Sequence, residues 1–447
     1  MALMRRRDFV ARLAGLASTA ALPLWLSARG RSLRLTARPH IVLIMCDDLG
    51  FGDVGFTGAT AYATPHIDRI ASDGMVLAES YSSAPVCSPT RVALMTGRYA
   101  QRETCGLHEP LTTHPIGLSP SPATLPRLLN DVGYHTALVG KWHLGSMPAF
   151  HPQRHGFDEF YGFLGAAADF VSWKDTEHNA VLFHDGETVV EPSGYMTDAL
   201  TTRAVHVIEA TRDQPLFLSL QYNAPHWPWQ APGDPAYPDS MRASAGGSPD
   251  TFAGMMRSLD NGVGRVLASL DASGMTRDTL LVFTSDNGGE RFSHMGPFSH
   301  AKMTVGEGGI RVATAVRWPA RVAAGTRSAQ VCTTTDLTAT FLALAGSESP
   351  RPLDGIDLTP ALLGGAPLSR ELFWRVTQRR QQKAVRRGDL KYVANEAGQF
   401  LYDLSDDPGE TRDLSAARSA DFKLLRASLN AWEQEMLPPA PLEAQYR

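Results

Sequence analysis

Four short segments of this 447-residue chain put acid, amide and base side chains directly after apolar runs. Asp47 and Asp48 follow His40–Met45, and Asp286 and Asn287 follow Leu280–Thr284. Lys141 and His143, in GKWHLG, follow His135–Val139; His226, in APHWPW, follows Leu216–Gln221. Asp47, Asp48, Asp286 and Asn287 offer three carboxylates and one amide carbonyl, all hard oxygen donors, and three carboxylates converge only around a cation. Such a donor set suits Ca²⁺ first and Mg²⁺ as the alternative, and no Cys or His pair stands at zinc spacing. Lys141 and His143, two apart, are expected to share one side of an extended segment. Together with Arg91, and with Lys302 in HAKMTVGEGGIR, they supply cations and proton carriers for an oxyanion that gains charge in its transition state. Any one cluster taken alone reads as ordinary turn residues after a strand. Four of them, rich in Asp, Lys and His, read as one site. His40, His66, His114 and His151 are expected to be structural or at the surface.

Cys87 lies in SSAPVCSPTRVALMTGRYAQR, Ser82–Arg102. A buried free thiol is one reading, and a thiolate nucleophile, which usually has a histidine partner, is another. Neither accounts for Pro89, Arg91 and the Thr96-Gly97-Arg98 that follows.

The elements that must position these groups alternate. The apolar runs have the continuous, β-branched character of strands buried on both faces. Between them lie helical patterns at Pro65–Gly74, Thr124–Gly133, Met196–Thr211 and Thr251–Gly274. This predicts an α/β fold with a mixed, mostly parallel central sheet flanked by helices, in which ligands bind at the carboxyl ends of the strands. Beyond Pro352 the texture changes to short alternating segments with turns at Arg387-Gly388 and Asp407-Pro408-Gly409, then a helix over Ala416–Met436. That predicts a catalytic domain over 39–351 and a smaller α+β domain over 352–447.

Composition narrows the class. At 43% apolar and 20% charged, with a net charge of −4, nothing points to a nucleic-acid partner or a disordered tail. The four cysteines, Cys46, Cys87, Cys105 and Cys332, form no disulfide framework. At the N-terminus, Arg6-Arg7-Asp8-Phe9-Val10 fits the twin-arginine export pattern, and Leu26-Ser27-Ala28 offers a small-residue cleavage site. Arg12 and Pro23 keep the apolar run below the ~20 residues of a spanning helix, so no stable membrane anchor is expected. Loss of residues 1–28 removes four arginines and one aspartate and takes the net charge from −4 to −7. The mature chain is then expected in the periplasm or outside the cell, with the twin-arginine machinery as its export partner.

Cys87-Ser88-Pro89-Thr90-Arg91, four residues, then Thr96-Gly97 resembles the signature of the type I sulfatases. The early Asp-Asp, the Gly-Lys-x-His and the late Asp-Asn-Gly stand in that family's order, and the likeness runs from about Pro39 to Leu414. It implies the alkaline-phosphatase-like fold and oxidation of Cys87 to formylglycine by a separate maturation enzyme. Asp47, Asp48, Asp286, Asn287 and modified Cys87 would bind the metal. Arg91 and Lys141 would hold the formylglycine hydrate and sulfate, with Lys302 on sulfate oxygens and His143 and His226 as base and acid. A further polar residue near the substrate oxygen is expected within Ala166–Lys174, with Ser172 as the candidate.

The implied reaction is hydrolysis of a sulfate monoester, aryl or carbohydrate, through a covalent sulfo-enzyme. A phosphonate or phosphate ester hydrolase of the same superfamily is the nearest alternative. An inactive sulfated-glycan-binding relative would have lost a metal or histidine position, and none is lost. An envelope-lipid phosphotransferase would carry several membrane helices. Trp227 and Trp229 beside His226 either stack on the substrate or pack a loop.

Overall fold

The computed structural model describes residues 38–112, 114–121, 123–238, 244–377 and 380–439. The export signal expected over 1–28 lies outside them. Among the described residues no helix is long and apolar enough to cross a membrane.

The four apolar runs are neighbouring strands in the middle of a ten-stranded sheet. Thr279–Ser285, His40–Cys46, Leu216–Gln221, His135–Lys141 and Glu159–Phe163 are adjacent in that order and mutually parallel. Antiparallel pairing is confined to the flanks, where Met75–Leu77, Ala315–Arg317, Phe183–Asp185 and Thr188–Val190 lie. Helices cover both faces, so the four central strands are buried along nearly their whole length and largely apolar. Met196–Ala210 and Pro249–Ala272 bury Leu200, Val207, Met255, Leu259 and Val263 in the largest core cluster. Cys87–Thr96, Leu125–Asn130 and Thr334–Ala345 pack together on the other face, where Phe341 meets Phe217 of the sheet. The α/β expectation therefore holds, with helix and strand limits within a few residues.

The short outer strands are not legible in sequence. Two- and three-residue strands such as Ser80–Tyr81 and Phe183–Asp185 are shorter than any periodicity can mark. The same applies to the Cys87–Thr96 helix, all ten residues of which are buried and which therefore shows no polar face.

The C-terminal residues form a separate antiparallel sheet of Glu371–Val376, Gln382–Arg387, Leu390–Asn395 and Gly398–Asp403. Helix Ser419–Glu435 covers one face, with Trp432 stacked on Phe373 at 5.2 Å. The other face packs Trp374, Leu372 and Val393 against Tyr81, Val86, Val305 and Ile310. Trp374 Nε1 donates to Ser82 O at 2.8 Å, so this sheet backs the loop that leads into Cys87.

Candidate active site

Parallel register brings the two acidic pairs level. Cys46 lies beside Ser285, so Asp47 and Asp286 leave adjacent strands at the same height. Asp286 N donates to Cys46 O at 3.1 Å, and Asp48 N donates to Asp286 Oδ1 at 3.2 Å. Asp48 holds a left-handed backbone, φ 61°. For a non-glycine residue that costs on the order of 1–3 kcal/mol, a strain that tends to mark functional positions.

The Cys87 motif is a helix start. Cys87 is its first residue, and Pro89 falls in the first turn, where a missing N–H costs no intrahelical bond. Thr90 Oγ1 donates to Ala84 O at 2.9 Å, which fixes the approach of the chain. Arg91 comes four residues after Cys87, so both lie on one face of the helix. Gly97 ends the helix in the left-handed region, φ 65°, and a Cβ there would lie 2.8 Å from Leu353 Cδ2. The Thr-Gly of the motif is thus a cap in a tight place.

Around the carboxylates the cations arrive in pairs. Cys87 Sγ lies 3.3 Å from Asp47 Oδ1 and 3.8 Å from Asp48 Oδ1. Arg91 donates to Asp286 Oδ2 through Nη2 at 2.8 Å and Nε at 3.2 Å, and through Nη1 to Gln221 Oε1 at 3.0 Å. Lys141 Nζ is 2.6 Å from Asp47 Oδ2, and Lys302 Nζ is 2.7 Å from Asp48 Oδ2. His226 Nε2 lies 3.5 Å from that same Asp48 oxygen. Asn287 Nδ2 donates to Asp48 Oδ1 at 2.7 Å. Asp47, Asp48, Cys87, Arg91, Lys141, His226, Asp286, Asn287 and Lys302 therefore form one linked cluster. His143 has no direct bond to it, yet it is fully buried and feels the charges of Lys141, Arg91, Asp47 and His226.

His143 reaches this place differently from expectation. The strand ends at Lys141, and His143 turns off it with φ 57°. It is a left-handed turn, not an extended pair, that brings the two side chains to one site. Ser172 takes part in a turn in which Asp169 Oδ1 accepts from its N–H at 2.6 Å. Trp229 is 4% exposed and packs edge-on against Phe292 at 4.9 Å, so it belongs to the core; Trp227 is half-buried.

Burial and charge set the protonation states. Burial, with Asp47 close by, pushes the Asp286 carboxyl up to about 7 despite Arg91. Asp47 is held well below the carboxylate range: burial opposes this, but Lys141, His226, Arg91 and Lys302 prevail. Burial, then Asp286 and Asp47, raises the Cys87 thiol well above its ordinary value, which argues against a thiolate nucleophile. Burial, then Lys141 and Arg91, holds His143 far below the imidazole range; burial brings His226 down to about 4. His226 Nδ1 meets Trp227 O at 2.5 Å, and a carbonyl only accepts, so Nδ1 carries the hydrogen and Nε2 is the basic nitrogen.

The donor set fits a hard cation. Asn287 Oδ1 is buried beside the carboxylates with no hydrogen-bond partner, an acceptor that a metal would satisfy. Asp47, Asp48, Cys87 and His226 each offer a ligand atom within 4.8 Å of the others. Asp286 is drawn toward Arg91, one hydrogen bond from Asp48.

Sequence reasoning missed Gln221, Glu290 and Asn223. Gln221 ends its strand and holds Arg91. Glu290 Oε2 lies 3.9 Å from Lys302 Nζ. Asn223 is 2% exposed with neither amide atom bonded. The one available signal was their place after strand ends.

Comparison with known proteins gives the family. The family model described as Sulfatase matches residues 39–347, and that described as N-sulphoglucosamine sulphohydrolase, C-terminal, matches 298–434. The chain is 35% identical over 365 residues to N-acetylgalactosamine-6-sulfatase of Mus musculus, covering 75% of this chain and 68% of the relative. Steryl-sulfatase of Mus musculus is 32% identical over 424 residues, covering 75% and 66%. The crystal structure of Ps i-CgsB superposes with a TM-score of 0.82 at 31% identity, covering 90% of this chain and 94% of that one. The same protein in complex with k-i-k-neocarrahexaose is 30% identical, again with a TM-score of 0.82. With a family model spanning most of its length and its charged cluster at the strand ends, this chain belongs to the sulfatase family.

Proposed function

We propose that this sulfatase hydrolyses the sulfate monoester of a carbohydrate, with Cys87 acting as formylglycine. The observation that carries the reading is Cys87 itself, fully buried as the first residue of a helix, 3.3 Å from Asp47 and one turn above Arg91. A thiol there is poorly activated, whereas an aldehyde hydrate puts two hydroxyls on one carbon. The carbohydrate class rests on the names of the relatives, an N-acetylgalactosamine-6-sulfatase and a protein solved with a neocarrahexaose.

Asp47, Asp48, Asp286 and Asn287, with an oxygen of modified Cys87, would hold one divalent cation, for which Ca²⁺ fits the donors. Bound there, it would supply Lewis acidity toward the hydrate and the sulfate oxygens. Arg91 and Lys141 orient the hydrate, and Lys302 faces the sulfate. One hydroxyl of the hydrate, made more acidic beside the Arg91 guanidinium, loses its proton to solvent, and its oxygen attacks sulfur as the bond from sulfur to the leaving oxygen breaks. The leaving oxygen is protonated through His226: Nε2, unprotonated in the resting site, takes up a proton from solvent once the sulfate ester is bound and hands it to that oxygen. His143, held neutral, accepts the proton of the second hydroxyl; the carbon–oxygen bond to the sulfate breaks, the carbonyl re-forms, and water restores the hydrate. Maturation of Cys87 by a separate enzyme and twin-arginine export are part of the same proposal.

The test is inorganic sulfate release by purified, aldehyde-bearing protein from sulfated sugars, aryl sulfates and phosphonates. Turnover of a sulfated sugar is expected, and absence of sulfate release from every ester would refute the reading.

A further inference from the structure

Glu290 stands three residues beyond Asn287, in the turn after the Thr279–Ser285 strand. Lys302 Nζ is 3.9 Å from its Oε2, too far for a hydrogen bond. Oε2 is buried and no donor reaches it, although the side chain as a whole keeps 40% of its surface exposed. Lys302 gives its short bond instead to Asp48 Oδ2, the oxygen that His226 Nε2 also approaches at 3.5 Å. Lys302 and His226 are 10% and 4% exposed at the side chain, so among these three Glu290 is the group at the rim. It borders Lys302, the lysine assigned to the sulfate.

We propose that Glu290 determines specificity by accepting a hydrogen bond from a hydroxyl or amide N–H of the sugar, next to the carbon that bears the sulfate. This rests on the sulfatase reading above and deepens it. Burial of that oxygen carries a desolvation cost that the Lys302 ammonium at 3.9 Å offsets only in part, and a hydrogen-bond donor on a ligand would offset more of it. The sulfate group cannot do so, because at neutral pH its oxygens only accept. The donors of a sulfated sugar are its hydroxyls and amides. A fourth carboxylate beside a sulfate pocket also opposes anion binding, and it repels a second sulfate on the neighbouring carbon most of all. The site therefore selects a monosulfated sugar with a free neighbouring donor.

The experiment uses the full aldehyde-bearing chain and three substrates: a hexose monosulfate, its analogue O-methylated at the neighbouring hydroxyl, and the vicinal disulfate. Wild type should prefer the free hydroxyl over the methyl ether by about 10- to 100-fold in kcat/KM, the span of one hydrogen bond to a charged group. Glu290→Ala should bring that ratio close to one. Glu290→Gln should keep part of it and raise activity on the disulfate relative to the monosulfate by about 10-fold. Unfolding midpoints of both variants should match wild type. A ratio near one in wild type, or a ratio unchanged in Glu290→Ala because both substrates fall together, overturns the assignment; the second result would mean that Glu290 only places Lys302. Wild type that turns over no sulfate ester removes the sulfatase reading, and this assignment with it.

Discussion

Cys87 and Arg91 address the same carboxylate oxygen: Cys87 Sγ is 3.3 Å and Arg91 Nη2 3.9 Å from Asp47 Oδ1. Four residues apart on one helix, they reach it from successive turns. Arg91 also makes two bonds to Asp286 and one each to Gln221 and the Lys141 carbonyl, so its guanidinium is fixed before any substrate arrives. A buried cation held this way is pre-set to face charge that develops at the Cys87 position.

Arg91→Lys keeps the charge but loses the planar fork that serves these partners together. Its kcat should fall by about 100-fold or more while the fold survives. Arg91→Ala leaves Asp286 buried without its partner and should cost about 3–5 kcal/mol of unfolding free energy. Urea unfolding measures this, and an Arg91→Ala protein as stable as wild type would contradict the buried pair.

Asn287 Oδ1, buried without a hydrogen-bond donor beside three carboxylates, is the acceptor a cation would satisfy. Chelation should lower the unfolding midpoint, and Ca²⁺ at 100 times its Kd should restore about 2.7 kcal/mol. Asp286→Asn should weaken Ca²⁺ binding in calorimetric titration. Protein that contains no metal as purified and keeps its midpoint in chelator would count against the site.

A second buried charge network ties the C-terminal sheet to the segment bearing Lys302. Glu307 accepts from Lys391 Nζ at 2.8 Å, Arg311 Nε at 2.9 Å and the Tyr81 hydroxyl at 2.8 Å. Burial opposes ionisation, yet Lys391 and Arg311 bring the Glu307 carboxyl down from 4.5 to about 2. A depressed carboxyl stabilises the fold fully above its unfolded pKa, and the contribution is lost as pH falls through the folded one. The loss should therefore run from about pH 4.5 down to about pH 2 and amount to roughly 3 kcal/mol. Comparing unfolding of wild type and Glu307→Gln across that window isolates it. An equal acid slope in both proteins would show that Glu307 is not responsible.

Charge also separates sulfate from phosphate. Arg91, Lys141, Lys302 and the divalent cation proposed for the site would face three carboxylates, and Glu290 at the rim adds a fourth. Such a site favours a monoanionic sulfate ester over a phosphate dianion. We expect kcat/KM for the sulfate to exceed that for the matching phosphate or phosphonate by ~100-fold or more, roughly 2.7 kcal/mol. Equal or reversed rates would move the protein to the phosphonate hydrolases.

The strand-end clusters were legible because a strand buried on both faces writes itself as a continuous apolar run, and Asp47, Lys141 and Asp286 stand at the point where each run breaks. Cys87, Arg91 and Gly97 were legible as a motif but not as a helix, since a helix buried all round shows no periodic face. Left-handed turns such as that at His143 depend on tertiary bonds, here His143 N to Leu164 O at 3.1 Å, that no local pattern announces. Gln221 and Glu290 gain their roles from partners 130 and 12 residues away, Arg91 and Lys302, and a pairing at that distance leaves no trace in spacing.

The most direct test of the account is the chemical state of Cys87 in active protein. Mass spectrometry of a peptide spanning Ser82–Arg91 should show an aldehyde in place of the thiol, in a fraction that tracks specific activity across preparations. Cys87→Ala should fold normally and turn over nothing. Fully active protein in which every Cys87 is an unmodified thiol would contradict the mechanism.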